Sequence, residues 1–317
     1  MRKDASRSYS IVIPVYDEEK SLKELHRRLV AVMDELGGEF EIIFVDDGSR
    51  DGSFEVLRGI HETDGRVKII QFRRNFGKSS ALNAGFSEAS GDVVLTIDAD
   101  LQDLPEEIPL LVSELDNGYD LVSSWRHERE DTLSKRISSK LYNRVVSWLS
   151  GIGIRDFNSG LKCYRREVLD EIVISGGMHR YIPVLAAWKG FRVSQVKVRH
   201  RRRAHGVSKY GSGRMLKGFF DFLTAMMLTK YARRPFHIFG LIGFILVLIG
   251  LVINAYITVG WFFGKWIENR PILLLGVLLL IVGFQIVFFG LLCEIVTYSS
   301  DRDRFYSIKQ KLNGHDG

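Results

Sequence analysis

Short apolar, β-branched runs recur through the first part of the chain, at residues 10–15, 41–45, 67–72, 92–97 and 120–123. Between them, residues 19–36, 53–62 and 78–89 carry helical patterns. Short apolar runs bounded by turn residues predict buried strands, and their alternation with helices predicts a mostly parallel sheet covered on both faces. The pattern then changes. Residues 236–263 hold no charged side chain and one histidine, His237, at the edge, while residues 272–296 carry Gln285 and Glu294. A helix of about 20 apolar residues crosses a bilayer core, so both stretches predict membrane spans. As buried core helices they would need a far larger soluble shell than the rest of the chain supplies.

The hydrophobic share of 46% is thus unevenly spread over 317 residues, and the first part is long enough to bury its own core. Cys163 and Cys293 lie far apart, which predicts neither a disulfide framework nor a zinc site and suits a reducing compartment. The opening MRKDASRSYS is polar and reads as no signal peptide, so the first domain is expected in the cytoplasm. The net charge of +6 concentrates beside the apolar runs. Lys230, Arg233 and Arg234 precede the first span, and Arg302, Arg304, Lys309 and Lys311 follow the second. The connecting loop has Lys265 and Arg270 against Glu268. Positive-inside bias places both termini and the first domain on the cytoplasmic side of the inner membrane. Trp261, Trp266 and Tyr298 stand where interfacial aromatics belong. A lipid bilayer is therefore the partner of this charge. A nucleic-acid binder would show aromatic-interleaved basic grooves and no spans.

Ligands of open parallel sheets bind at the carboxyl ends of the strands, and acidic residues gather there. Pro14, Tyr16, Asp17 and Glu18 follow the first predicted strand, Asp46 and Asp47 the second, Asp98 and Asp100 the fourth. An extended Asp98-Ala99-Asp100 throws both carboxylates to one side, which is costly unless a cation sits between them. A hard divalent ion takes oxygen ligands and keeps places for phosphate oxygens, so the pair suits a metal bound to a diphosphate leaving group. The competing account is a solvated turn whose aspartates cap the helix that starts near Asp103 and Pro105. One carboxylate of Asp46-Asp47 suits a base or ribose, or an Asx turn with Gly48 and Ser49. Arg73, Asn75, Gly77 and Lys78 suit phosphate contacts, or the cap of a helix beginning near Ser79.

IVIPVYDEE, FVDDGSRDGS, RNFGKSSALNAGF, TIDADLQDLPEEI and RDFNSGLKCYRRE follow one another in the order of glycosyltransferase family 2. More narrowly, residues 10–210 resemble the polyprenyl-phosphate glycosyltransferases, namely bactoprenol glucosyltransferases and dolichol-phosphate mannose synthases. The two-span tail resembles the bactoprenol group. The resemblance implies a GT-A fold (α/β, Rossmann-like), a divalent metal (Mg²⁺ or Mn²⁺), inversion at the sugar carbon, a nucleotide-sugar donor and a polyprenyl phosphate acceptor. Carried over residue by residue, it puts Pro14, Tyr16, Glu18, Asp46 and Lys78 at the nucleotide and Asp98, Asp100 and Gln102 at the metal. Asp100 and Asp156 become the catalytic candidates. Arg126, Arg129 and Arg136 match the arginines for the acceptor phosphate, joined by Arg201, Arg203, Ser208, Lys209 and Tyr210 of a loop that ends in S-K-Y. Asp17 stands where the family usually has asparagine in P-x-Y-N-E.

Other readings of the same residues stay open. Asp156 suits orienting or deprotonating the acceptor, or a helix cap or a partner for Arg155. Leu133, Ile137, Leu141, Val145 and Leu149 recur every fourth position beside Lys135, Arg136, Lys140 and Arg144. Such a helix suits the membrane interface or the sheet surface equally. Residues 200–211 suit a lid over diphosphate or a basic tether to anionic lipid. The expected division is a GT-A domain at 1–212, an amphipathic interface helix at 213–234, two spans at about 236–263 and 272–296, and a cytoplasmic tail at 299–317. A homo-oligomer packed through the spans is expected, because two helices bury little by themselves. The expected reaction moves glucose from UDP-glucose to undecaprenyl phosphate. GDP-mannose, a UDP-aminoarabinose-type donor and a non-catalytic scaffold are the alternatives. A processive synthase is disfavoured, because Met178-His179-Arg180-Tyr181 stands where such enzymes carry Q-x-x-R-W.

Overall fold

The computed structural model describes residues 7–126, 144, 146, 147, 150–172, 174, 176–199, 224, 226, 227, 236–264 and 270–299. The chain separates into two compact units, Met1–Ala225 and Met226–Gly317. The first is built on a seven-stranded sheet of β1 (Ser8–Val15), β2 (Glu39–Asp46), β3 (Val67–Gln71), β4 (Val93–Thr96), β5 (Leu121–Arg126), β6 (Lys162–Arg165) and β7 (Val193–Val198). The strand order is β3-β2-β1-β4-β6-β5-β7. The first five are the strands that the hydrophobic pattern predicts, each within a few residues at either end. Helices α1 (Leu22–Leu36), α2 (Ser53–Thr63), α3 (Lys78–Glu88), α4 (Ile108–Asp116), α5 (Arg166–Glu171) and α6 (Ile182–Trp188) cover the sheet or connect its strands.

Period-two alternation divides β1 between the two faces. Ile11, Ile13 and Val15 enter one core with Leu25 and Leu29 of α1 and Leu111 and Leu115 of α4. Val12 points to the opposite face, where α3 comes so close that a Cβ on Gly85 would collide with its side chain. With both faces buried, β1 and β4 carry continuous apolar runs at 11–15 and 93–95.

Most neighbours in the sheet run parallel, but β6 is antiparallel to both β4 and β5. Thr96, at the end of β4, pairs with Lys162, at the start of β6. The carboxyl ends of β1 to β5 and β7 therefore share one edge with the amino end of β6. This is the GT-A arrangement, a mostly parallel Rossmann-like sheet with one reversed strand.

The two apolar stretches form α7 (Phe236–Phe262) and α8 (Arg270–Ser299), both long and apolar enough to cross a membrane. Glycines let them touch. A Cβ on Gly243 would lie 2.6 Å from the Gly283 carbonyl, and one on Gly250 would lie 2.8 Å from that of Gly276. Glu294 accepts a hydrogen bond from the Phe236 backbone N–H at 3.0 Å, so it caps the start of α7 within the same hairpin. Leu241, Phe244, Leu251, Val252, Leu274, Phe288 and Ile295 face outward and exposed. An outer surface this apolar suits hydrocarbon and not water. The expected interface helix at 213–234 lies almost entirely outside the described residues, as does the tail after Ser299.

Candidate active site

The loops at the shared edge are laced together by side chains. Asp17 adopts φ +50°, the left-handed region that asparagine and aspartate tolerate best among side-chain-bearing residues. That conformation accounts for aspartate in the place of the expected asparagine. The Asp17 N–H donates to Ser49 Oγ at 3.0 Å, and its carboxylate accepts from the Arg50 N–H at 2.7 Å. The Glu18 N–H donates to Ser53 Oγ at 2.9 Å. The segment after β1 is thereby fixed on the segment after β2, and Pro14, Tyr16 and Glu18 sit half-buried at the junction.

Asp46 and Asp47 divide the work. Asp47 accepts the N–H groups of Phe76 at 2.7 Å and Gly77 at 2.9 Å, drawing in the loop before α3. Burial pushes its carboxyl above the ordinary value in spite of these bonds. Asp46 is fully buried and accepts from the Ser49 N–H at 3.0 Å and from Gln71 Nε2 at 3.4 Å. Gly48, at φ +70°, would meet the Arg74 backbone with any side chain, so the two loops touch there. Arg73 and Asn75 stand exposed on the drawn-in loop.

Beyond β4, the Asp98 carboxylate is already paired. Lys78 Nζ, from the first residue of α3, donates to Asp98 Oδ1. The side chain of Asp98 keeps 35% of its surface open, yet charged groups crowd it. Burial would raise its pKa, but Lys78, with Lys162 behind, holds it below the ordinary value. Asp100 accepts the Gln102 N–H at 3.1 Å across Leu101, whose φ of +60° is unusual for a leucine. The reversed strand closes the group from the other side. Thr96 Oγ1 donates to the Gly160 carbonyl at 2.9 Å, and a Cβ on Gly160 would lie 2.6 Å from both oxygens of Asp98. Asp98, Asp100 and Gln102 supply only oxygen ligands, and all three side chains are partly open. That donor chemistry fits a hard divalent ion which keeps water or phosphate in its remaining positions.

Asp156, 1% exposed, is gripped by Arg126 at the end of β5. Arg126 Nε donates to Oδ2 at 2.8 Å and Nη2 to Oδ1 at 3.1 Å. Both carboxylate oxygens face the guanidinium, while Arg155 stacks instead on Trp125, 4.5 Å from the ring centre. Arg129, Arg136, Arg201, Arg203, Ser208, Lys209 and Tyr210 lie outside the described residues.

The structure adds four side chains that the motifs did not single out. Lys162, buried at the start of β6, donates to the Ser159 carbonyl. Burial, then repulsion from Lys78, pulls its amine down to about 8. Ser79 and His179 meet where the turn at 178–180, which also carries Arg180, crosses the start of α3. In the sequence Lys162 was one of many basic residues, and its burial follows only from a reversed strand with no hydrophobic signature.

The sequence profile of glycosyl transferase family 2 matches residues 10–173. The undecaprenyl-phosphate 4-deoxy-4-formamido-L-arabinose transferase of Pseudomonas aeruginosa is 40% identical over 93% of this chain and 87% of its own length. The protein of that name in Edwardsiella ictaluri is 38% identical over 90% of this chain and 88% of its own. Among solved structures, glucosyl-3-phosphoglycerate synthase from Mycobacterium tuberculosis, in complex with Mn²⁺, UDP and phosphoglyceric acid, superposes with a TM-score of 0.58. That match covers 70% of this chain and 80% of the other at 20% identity, and it speaks for the fold alone. With the acidic edge, the reversed strand and two membrane-length helices in place, the chain belongs to glycosyl transferase family 2, in its polyprenyl-phosphate group.

Proposed function

We propose that the protein transfers a 4-deoxy-4-formamido-L-arabinose-type sugar from its UDP-linked form to undecaprenyl phosphate at the cytoplasmic face of the inner membrane. The observation that carries this proposal is the convergence on one sheet edge of Asp98-Ala99-Asp100, the Ser159-Gly160 turn and the Arg126–Asp156 pair. The sugar is taken from relatives that match nearly the whole chain. Glucose, the expectation from sequence, becomes the second donor to try.

In an inverting transfer, an oxygen of the acceptor phosphate attacks the anomeric carbon while the bond to the diphosphate breaks. Pro14, Tyr16, Glu18 and Asp46 line the nucleotide end. A divalent ion (Mg²⁺ or Mn²⁺) held by Asp98, Asp100 and Gln102 would neutralise the leaving diphosphate. The acceptor is already an anion, so it needs no strong base. Asp156 accordingly serves as a positioning residue. Its paired oxygens hold Arg126 so that the rest of the guanidinium meets the acceptor phosphate.

The test is incubation of purified protein with undecaprenyl phosphate, Mg²⁺ or Mn²⁺, and radiolabelled UDP- and GDP-sugars. Label is expected in the lipid from the formamido-arabinose donor, and it should vanish with chelator and in Asp100→Ala. Label from UDP-glucose alone would move the donor. No labelled lipid from any donor, with UDP still bound, would overturn the acceptor.

A further inference from the structure

We propose that His179 is a neutral hydrogen-bond donor to the diphosphate of the nucleotide-sugar, with its tautomer set by Ser79. The inference rests on the transferase proposal and adds a residue to its donor site. Two contacts define the arrangement. The His179 backbone N–H donates to Ser79 Oγ at 3.2 Å, and His179 Nδ1 lies 2.9 Å from the same oxygen.

The Ser79 hydroxyl is buried, and among the described residues it has no acceptor other than His179 Nδ1. A buried hydroxyl proton left without an acceptor costs about 1–3 kcal/mol, so it goes to Nδ1. A neutral imidazole that accepts at Nδ1 carries its own proton on Nε2. That N–H finds no acceptor among the described residues.

The surroundings say what kind of acceptor is missing. The strongest charges acting on His179 are Lys78 on α3, Arg180 in its own turn and Lys162 on β6, with the Asp98 carboxylate after β4 opposing them. This predominance of cations favours a ligand rich in negative oxygen. Arg180 adds an independent sign. Its Nε is buried without a hydrogen-bond partner among the described residues, and buried donors of this kind are rarely left unmet. Burial, then Lys78, Arg180 and Lys162, hold the imidazole pKa well below its ordinary value, so it keeps its neutral form. Lys78 joins this corner to the metal-type loop, because it precedes Ser79 and reaches Asp98.

The test compares UDP with UMP, in the presence of Mg²⁺, by calorimetry on the full chain in detergent micelles. His179→Ala is expected to weaken UDP about tenfold, or about 1.4 kcal/mol, and to leave UMP unchanged. His179→Gln, whose amide can replace the Nε2 donor, should recover most of the loss. Ser79→Ala should weaken UDP in the same direction by less. Equal losses for UDP and UMP, or no loss, would overturn the role of His179. Nitrogen NMR of the wild-type imidazole gives a check that does not depend on any variant folding. An Nε2–H tautomer supports the assignment, and an Nδ1–H tautomer overturns it. A wild type that binds no UDP would instead bring down the transferase proposal itself.

Discussion

Gly160 shows how little room the site leaves. With both oxygens of Asp98 lying 2.6 Å from where its Cβ would be, Gly160→Ala must displace that carboxylate from Lys78 or move the turn. Transfer is expected to fall at least about tenfold, about 1.4 kcal/mol in the barrier, with the melting temperature nearly unchanged. Full activity would mean that the close approach is incidental. Asp156 allows a sharper test of roles. In Asp156→Asn the acceptor KM should rise about tenfold as Arg126 loses its ionic partner, while the acid limb of the pH–rate profile stays in place. Disappearance of that limb would make Asp156 the base. The acidic residues themselves were legible in the sequence, because motif order and turn chemistry mark them. Their partners were not. Lys78 with Asp98 and Arg126 with Asp156 become neighbours only when the strand order is known, and His179 was read only as part of the segment that stands in place of Q-x-x-R-W.

At the scale of elements, the strands buried on both faces were readable and the mixed ones were not. β1, β2 and β4 each carry a continuous apolar run (residues 11–15, 42–45 and 93–95), whereas β6 (KCYR) and β7 (VSQVKV) carry charge and show no clean period. β6 is also reversed, a fact that no four-residue composition encodes. Away from the site, Glu41 ties β2 to its neighbours. It accepts from Ser10 Oγ at 2.6 Å, the Ser90 N–H at 2.7 Å and Ser90 Oγ at 2.8 Å, and pairs with Lys68 at 2.8 Å. Burial alone would raise its pKa, but these donors together lower it to about 2 from an ordinary 4.5. A carboxylate shifted down stabilises the fold fully above its unfolded value and loses that contribution as the pH falls towards the folded value. Thermal midpoints should therefore drop between about pH 4.5 and 2. Glu41→Gln should be less stable at pH 7 and should show a shallower drop. An unchanged acid limb in the variant would count against this assignment.

At the scale of the molecule, the two membrane-length helices were visible in the sequence, since an all-round apolar surface has no place in a soluble core of this size. The fit between α7 and α8 was less visible. Gly243 and Gly250 repeat at the same interval as Gly276, Gly283 and Gly290, seven residues, which keeps small residues along one seam of a gently coiled pair. A Cβ on Gly283 would lie 2.8 Å from the Gly243 carbonyl. Gly283→Leu is thus expected to force the helices apart at a cost of roughly 2 kcal/mol. The measurable result is earlier heat-induced loss of monodispersity in detergent, with UDP affinity retained. Equal loss of UDP binding would show that the hairpin also shapes the nucleotide site. The reversed strand has a consequence of another kind. Because β5 stops and β6 starts at the same edge, residues 127–161 leave and rejoin the sheet at one threshold. Its last residues, from Asp156 to Leu161, are fixed against Arg126, Thr96 and Asp98, but the part before them can lengthen or shorten without shifting the register of a single strand, so descendants of this fold can inherit the nucleotide half intact while they experiment with what receives the sugar.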